Sequence, residues 1–384
     1  MKDTNLRIYL DNAATTWPKP PAVATAINDF ITQGAANPGR GGHGLSLATG
    51  RMVFDCRKKL GRLFNVQDES RVIFTSNATQ ALNMAVFGTL SPGDHCITTS
   101  MEHNAVSRPL HYLQGKGVEV TVIPCNSQGE LSLGRLQAAF QANTRLVALT
   151  HASNVCGTLL PVQEACSLAR QHGALTLLDA AQTAGVYPLD AELLGVDLLA
   201  VPGHKSLLGP TGTGALYIGP RTELRPSIYG GTGSFSELLE MPDVLPDRFE
   251  SGTLNTVGIA GLSSALDYIE IAGLTHIRTH ETALAKLAWR GLQAIGGIKV
   301  YGTGDGAPIV AFNVGEIGST EVAYILDASF NIATRAGLHC APWAHQTLGT
   351  YAQGVVRVSP GVFTTIKEID TFLEAVEAIK QEMT

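Results

Sequence analysis

Short apolar runs alternate with helical patterns through the middle of the chain. Residues 71–76 (Arg-Val-Ile-Phe-Thr-Ser) predict a strand, and residues 78–88 predict a helix that starts directly after it. Residues 95–100 predict a second strand, followed by a helix from His103. Apolar runs at 119–125, 145–150, 175–178, 198–201 and 214–218 continue the series. Helices of about 10–12 residues fit between most of these runs, for example at 162–172. Strands alternating with helices predict a mostly parallel sheet covered on both faces. Only a Gly-rich loop joins 198–201 to 214–218, too little chain for a helical crossover, so that pair can be antiparallel.

The texture changes near residue 255. Two long helical patterns, 256–272 and 276–295, precede an apolar run at 308–314, a helix near 319–329 and a run at 355–358. A last helix is predicted over 367–382. This reads as a smaller α+β unit packed on the first, with no internal repeat and no low-complexity tract.

Composition narrows the class. Of 384 residues, 45% are hydrophobic and 16% charged, which supports a sizeable core and excludes a disordered polar chain. Lys plus Arg is 27 against 33 Asp plus Glu, a net charge of −6 that argues against a nucleic-acid surface. Glycine, at 41 residues, is clustered rather than periodic, which excludes collagen and suggests close backbone approach to a ligand. No apolar stretch reaches the length of a membrane span, and the first residues lack the apolar core of a secretory leader. Cys56, Cys96, Cys125, Cys156, Cys166 and Cys340 are scattered without a C-x-x-C pair, so a reducing, cytoplasmic setting is expected.

Four features carry chemistry. The run Leu175-Thr-Leu-Leu-Asp179 delivers a carboxylate at the end of a predicted strand, where open α/β sheets place ligand contacts. On its own Asp179 could equally cap a helix. Lys205 lies between apolar segments beside His204 and several glycines; a desolvated lysine has a lowered pKa and becomes an amine nucleophile able to form a Schiff base. The following Gly-Pro-Thr-Gly-Thr-Gly lacks both the Walker and the dinucleotide-binding spacing. The segment Ser76-Asn-Ala78-Thr79-Gln80 joins a strand to a helix and can cradle a phosphate on helix N–H groups. His103, after the next strand, can stack on an aromatic ring. An amine, a strand-end acid, a phosphate cradle and a ring lid together meet the needs of pyridoxal phosphate. His339, Cys340 and His345 lack the second cluster that a zinc site of this kind would require, so no metal is expected.

Tyr9-Leu-Asp-Asn-Ala-Ala-Thr15, Glu102-His-Asn104, His151-Ala-Ser-Asn154-Val-Cys-Gly-Thr158, Asp179-Ala-Ala-Gln182, Gly203-His-Lys205 and Arg248-Phe-Glu-Ser-Gly-Thr253 occur in this order. The set resembles the class V aminotransferase family over nearly the whole chain, and within it the cysteine desulfurases and selenocysteine lyases. Arg335-Ala-Gly-Leu-His339-Cys340 is similar to the short active-site segment of one group of these enzymes. The resemblance implies the fold type I of pyridoxal-phosphate aminotransferases: an α/β fold with a mainly parallel seven-stranded sheet in a large domain and a smaller α+β domain. The expected division is 18–255 for the large domain, with 1–17 and 256–384 forming the small one.

The resemblance also implies roles. Lys205 would hold the cofactor covalently and act as base, Asp179 would pair with its pyridine nitrogen, and Gln182 would bond the phenolic oxygen. His103 would stack on the ring. Ala78, Thr79 and His204 would hold the phosphate, helped by Thr253 from a second subunit. Asn154 would contact both cofactor and substrate, Arg357, Arg335 and His43 would bind substrate, and Cys340 would accept the sulfur as a persulfide. A thiolate is the reacting form, so neighbours such as His339 or an arginine should favour it. The implied reaction takes L-cysteine to L-alanine in a homodimer, with a sulfur-acceptor protein downstream. Selenocysteine cleavage, transamination or another lyase reaction on the same cofactor, and a binding protein without turnover, are the alternatives. Two departures stand out: Pro202 replaces a hydroxyl residue that in relatives donates to the phosphate, and Gln80 stands where Glu is common.

Overall fold

The structure, a computed structural model, describes residues 7–38 and 41–383. In chain order it begins with β1 (Ile8–Tyr9), α1 (Pro21–Gly34), α2 (Gly44–Leu63), β2 (Val72–Thr75), α3 (Ala78–Thr89), β3 (His95–Thr99) and α4 (Asn104–Gln114). There follow β4 (Glu119–Ile123), α5 (Leu133–Ala138), β5 (Thr144–Thr150), α6 (Val162–Gln171), β6 (Leu175–Asp179), α7 (Ala191–Leu194), β7 (Leu198–Pro202) and β8 (Gly214–Ile218). The remainder comprises α8 (Thr256–Ala272), α9 (Leu274–Ala294), β9 (Ile298–Tyr301), β10 (Val310–Val314), α10 (Ser319–Phe330), β11 (Ile332–Ala333) and β12 (Arg335–Gly337). It closes with α11 (Pro342–Leu348), β13 (Val355–Val358) and α12 (Ile366–Met383).

Seven strands form one sheet in the order β2-β8-β7-β6-β5-β3-β4. β8 is antiparallel to both of its neighbours, and the pairs from β7 through β4 are parallel. Hence the sheet is mainly parallel, and β7–β8 is the antiparallel pair that its short connection suggested. Every residue of β2, β3, β6, β7 and β8 is buried, so the strands show no apolar–polar alternation, and β3 buries His95, Thr98 and Thr99 along with its apolar residues. Successive side chains still part to opposite faces: in β5, Leu146 and Ala148 join one apolar cluster with α3 and α4, while Val147 and Leu149 join the other with α2, α6 and α8. Since β2 runs with β7, every strand except β8 delivers its carboxyl end to the same edge of the sheet, where the candidate residues follow.

A second sheet, β12-β13-β10-β9, is antiparallel throughout and has its own apolar cluster with α9, α10 and α12. The N-terminal segment joins this region: Ile8 and Tyr9 pair in parallel with Ile332 and Ala333, and Asp11 bridges to Ser359. α8 buries Ile259, Leu262, Ala265, Leu266 and Ile269 in the same cluster as Val53 and Leu60 of α2, beneath the seven-stranded sheet. Among the described residues, no single helix is long and apolar enough to cross a membrane.

One buried ion pair ties α2 to the segment that carries Thr253. Arg57 donates from Nη1 and Nη2 to the two carboxylate oxygens of Glu250 at 2.7 and 2.8 Å, and Glu250 Oε1 also accepts from the Phe74 N–H at 2.6 Å. Arg57 further donates to the Val72 carbonyl and lies over the Phe74 ring. Breaking such a pair strands one charge away from water. We predict that Glu250→Ala costs about 3–5 kcal/mol in chemical denaturation, and that adding Arg57→Leu recovers part of the loss. A stability of Glu250→Ala equal to wild type would show that the pair is not carrying that junction.

Candidate active site

Five strand ends deliver the site. Beyond β2, Asn77 caps α3 by accepting the Gln80 N–H at 2.9 Å, and Gln80 Oε1 accepts from the Ser76 N–H and hydroxyl. Gln80 is therefore spent on the turn and does not line the cleft described next. The first-turn N–H groups of Ala78 and Thr79 have no protein acceptor among the described residues. β3 leads to Glu102 and His103, β5 to Asn154, β6 ends on Asp179, and β7 leads through Pro202 to Lys205.

Ala78, Thr79, His103, Asn154, Asp179, Gln182, His204 and Lys205 line one cleft of about 640 Å³, measured to open solvent. Glycines let the lysine turn pack closely. A side chain at Gly203 would strike Thr213, and one at Gly185, whose φ is +93°, would strike the Ser206 backbone, so the lysine turn can seat only against glycine. The turn is fastened from outside: Thr16 Oγ1 donates to the Lys205 carbonyl at 3.0 Å, and Lys19 Nζ donates to the His204 carbonyl at 2.6 Å.

Electrostatics follow from burial. Lys205 is lowered to about 8, first by desolvation and then by the Arg357 charge, with Asp179 opposing. Its residual exposure is to the cleft. Desolvation raises the Asp179 carboxyl above its ordinary range, while the Ala181 N–H (2.9 Å) and Lys205 draw it back. His103 is lowered to about 4, chiefly by burial, and its Nδ1 accepts the Ala105 N–H at 3.0 Å, so the ring is neutral with its proton on Nε2. Gln182 donates to the Ala13 carbonyl at 3.2 Å. His204, also lowered to about 4 by burial, has a buried Nδ1 without a partner. Glu102, raised to about 8 by burial, gives Oε1 to Thr99 and the Thr150 N–H and leaves Oε2 without a partner. A neutral acid there spares Asp179 a second buried negative charge.

The other expected residues fall outside this cleft lining. Arg357, 1% exposed, donates from Nη1 to the Asn154 carbonyl at 2.9 Å and from Nη2 to Asp11 at 2.9 Å, leaving Nε unpartnered. Arg335 is its direct neighbour across β12 and β13, and its Nη2 lies 3.9 Å from Cys340 Sγ. Cys340 is exposed and the other five cysteines are buried. Its carbonyl accepts the Asn104 N–H at 2.7 Å, which docks the segment on the His103 turn. His339 contributes no positive charge to this thiol: burial first, then Arg357, lowers it to about 2. Of His339 and the arginine, it is Arg335 that stands beside Sγ. His43 is exposed and caps α2 by accepting the Ser46 N–H at 3.3 Å. Thr253 is exposed in a neighbouring hollow with Ser76 and Gln80. Asp11, Glu102 and the Asn104 N–H received no role from sequence, because their importance lies in partners distant along the chain. No group of three or more His, Cys, Asp or Glu among the described residues is placed to hold a metal ion.

The donor set fits pyridoxal phosphate. A half-buried amine, a buried strand-end acid, a neutral imidazole, free helix N–H groups and the unpartnered His204 Nδ1 converge on one cleft. Pro202 lines that cleft and offers no donor, so the departure noted in sequence persists in the site.

A probable cysteine desulfurase of Methanothermobacter thermautotrophicus is 35% identical over 380 residues, covering 97% of this chain and 94% of its own length. A cysteine desulfurase of Salmonella dublin is 35% identical over 381 residues, at 97% and 93% coverage. The apo structure of a cysteine desulfurase from Thermococcus onnurineus NA1 superposes with a TM-score of 0.91 at 32% identity, covering 98% of this chain and 95% of the other. With the aminotransferase class-V family model matching residues 8–372, the chain belongs to that family.

Proposed function

We propose that the protein is a pyridoxal-phosphate-dependent cysteine desulfurase that takes L-cysteine to L-alanine and receives the sulfur on Cys340. The observation that carries this reading is the one exposed thiol, beside Arg335 and hydrogen-bonded through its backbone to the turn of His103. Transamination needs no such thiol. Pyridoxal phosphate, when bound, supplies an aldehyde for amine capture and a sink for negative charge at the substrate Cα.

The chain's residues then divide the work. Lys205, with a pKa of about 8, is partly neutral near pH 7, so it can add to a carbonyl and later take or return a proton at Nζ. Asp179 would pair with the pyridine nitrogen, Gln182 would bond the phenolic oxygen and His103 would cover the ring. The N–H groups of Ala78 and Thr79, with the unpartnered His204 Nδ1, would take the phosphate. Asn154 and Arg357 Nε meet the substrate carboxylate, which gives the one unpartnered guanidinium nitrogen an acceptor. The Cys340 thiolate, facing Arg335, attacks the substrate sulfur; an S–S bond forms, the C–S bond breaks, and the carbon is protonated to alanine.

The reading includes a homodimer. Tyr229, Phe235, Leu238 and Leu239 are all exposed within one irregular segment, an apolar surface of the kind that pairing covers. His43 and Thr253, neither of which lines its own cleft, then serve the partner's site. Release of the sulfur to an acceptor protein also belongs to this proposal.

Two substitutions test it. Cys340→Ala should retain cofactor absorbance and lose at least about a hundredfold in alanine release from cysteine. Wild-type turnover by that variant would remove the nucleophile assignment, and survival of selenocysteine cleavage alone would redirect the reading to that substrate. Lys205→Ala should abolish both the cofactor band and activity. The pH dependence has a definite sign: the neutral amine grows as pH rises through about 8, so capture of added pyridoxal phosphate by cofactor-free protein should be about a hundredfold slower at pH 6 than above pH 9. A rate flat across that window would exclude Lys205 as the capturing amine.

A further inference from the structure

His339 and Cys340 are consecutive non-glycine residues in the left-handed region, with φ of +50° and +56°. Such backbone persists only where the surroundings over-determine it, and it clusters where geometry serves function. Here each peptide unit is held from the large sheet's loops. Asn154 Nδ2 donates to the His339 carbonyl at 2.7 Å, and the Asn104 N–H donates to the Cys340 carbonyl at 2.7 Å. The Ala341 N–H closes the turn on the Leu338 carbonyl at 2.9 Å.

The side chain of His339 is held separately. Its ring lies 5.7 Å from that of His345 with only 10° between the planes. Both residues are buried; His339 Nδ1 has no partner, and His345 lies against the backbone of Leu338, the residue before His339, as well as against Thr350. His345 is oriented by Thr350 Oγ1 at 2.7 Å from its Nδ1. His339 Nε2 lies 3.3 Å from the carbonyl of Arg335, the residue whose guanidinium faces Cys340 Sγ. The two rings meet face to face within a buried setting, directly beside the residues that turn the chain at Cys340. Their stacking links helix α11, the left-handed pair and the strand bearing Arg335.

We propose that His345 is a positioning residue for Cys340: its ring, stacked on that of His339, holds the left-handed pair in the conformation that keeps Sγ beside Arg335. The inference deepens the reading of Cys340 as nucleophile, but its test does not need that reading. Cys340 is the one exposed cysteine, so iodoacetamide alkylation of the folded protein reports on this thiol alone.

At fixed neutral pH, His345→Ala should slow alkylation of Cys340 by about tenfold, whereas His345→Phe, which keeps a flat ring for stacking, should stay within about threefold of wild type. Arg335→Gln should slow it similarly, and should add nothing further in the His345→Ala background, because both changes remove one contact. In cysteine turnover, His345→Ala should lower kcat and leave KM unchanged. Alkylation of His345→Ala at the wild-type rate, or a Phe variant as slow as the Ala variant, would overturn the proposal. If His345→Ala fails to fold, His345→Gln replaces it: Gln keeps a polar group near Thr350 without a ring, and a wild-type alkylation rate for Gln overturns the proposal equally. A protein that alkylates as described yet does not turn over cysteine would sink the desulfurase reading and leave the positioning role standing.

Discussion

The guanidinium of Arg357 is the point on which both units of the molecule bear. It is withdrawn from water on β13, balanced by Asp11 from the N-terminal segment and by the Asn154 carbonyl from the large sheet's edge. A charge in that position holds three pieces of chain together that are far apart in sequence. It also reaches the chemistry, since after desolvation it is the largest influence lowering Lys205 and His339. The amine is kept partly neutral because a cation sits nearby in a poorly solvated space, and Asp179 limits how far that goes. Removing Asp11 would therefore disturb more than an ion pair, for it would leave the cation uncompensated beside the lysine.

Much of the large sheet was legible because its strands are buried on both faces and so read as largely apolar runs. The runs at 214–218 and 355–358 and the helix at 256–272 coincide with β8, β13 and α8. What escaped was built from residues without apolar pattern. α2 buries Ser46, Thr49, Arg57 and Gly61 along with Val53, Cys56 and Leu60, so its packed face carries no clean hydrophobic stripe. β12 is Arg-Ala-Gly, half-buried, and exists as a strand because β13 pairs with it. Its identity was carried by motif alone.

The cleft divides along the same line. Asp179, Lys205 and the α3 N-terminus announced themselves through position after a strand and through unusual neighbours. Glu102 and Asp11 did not, since a carboxylate's meaning depends on what faces it: one is a neutral acid among buried thiols and threonines, the other a counter-ion 346 residues from its partner. The sequence likewise could not show that His339 is neutral, because the adjacent Arg357 charge and the burial that suppress its proton come from the fold.

The contrast between Cys340 and its five sealed counterparts bears on where a transferred sulfur atom can travel. Burial pushes Cys56 up to about 12, and Cys125 and Cys166 up to about 11, and Cys96 is raised as well. None of these offers a reachable sulfur anion for exchange. If Cys340 takes up the substrate sulfur as proposed, the sealed cysteines give that atom no inward relay, and its way off the protein leads toward solvent.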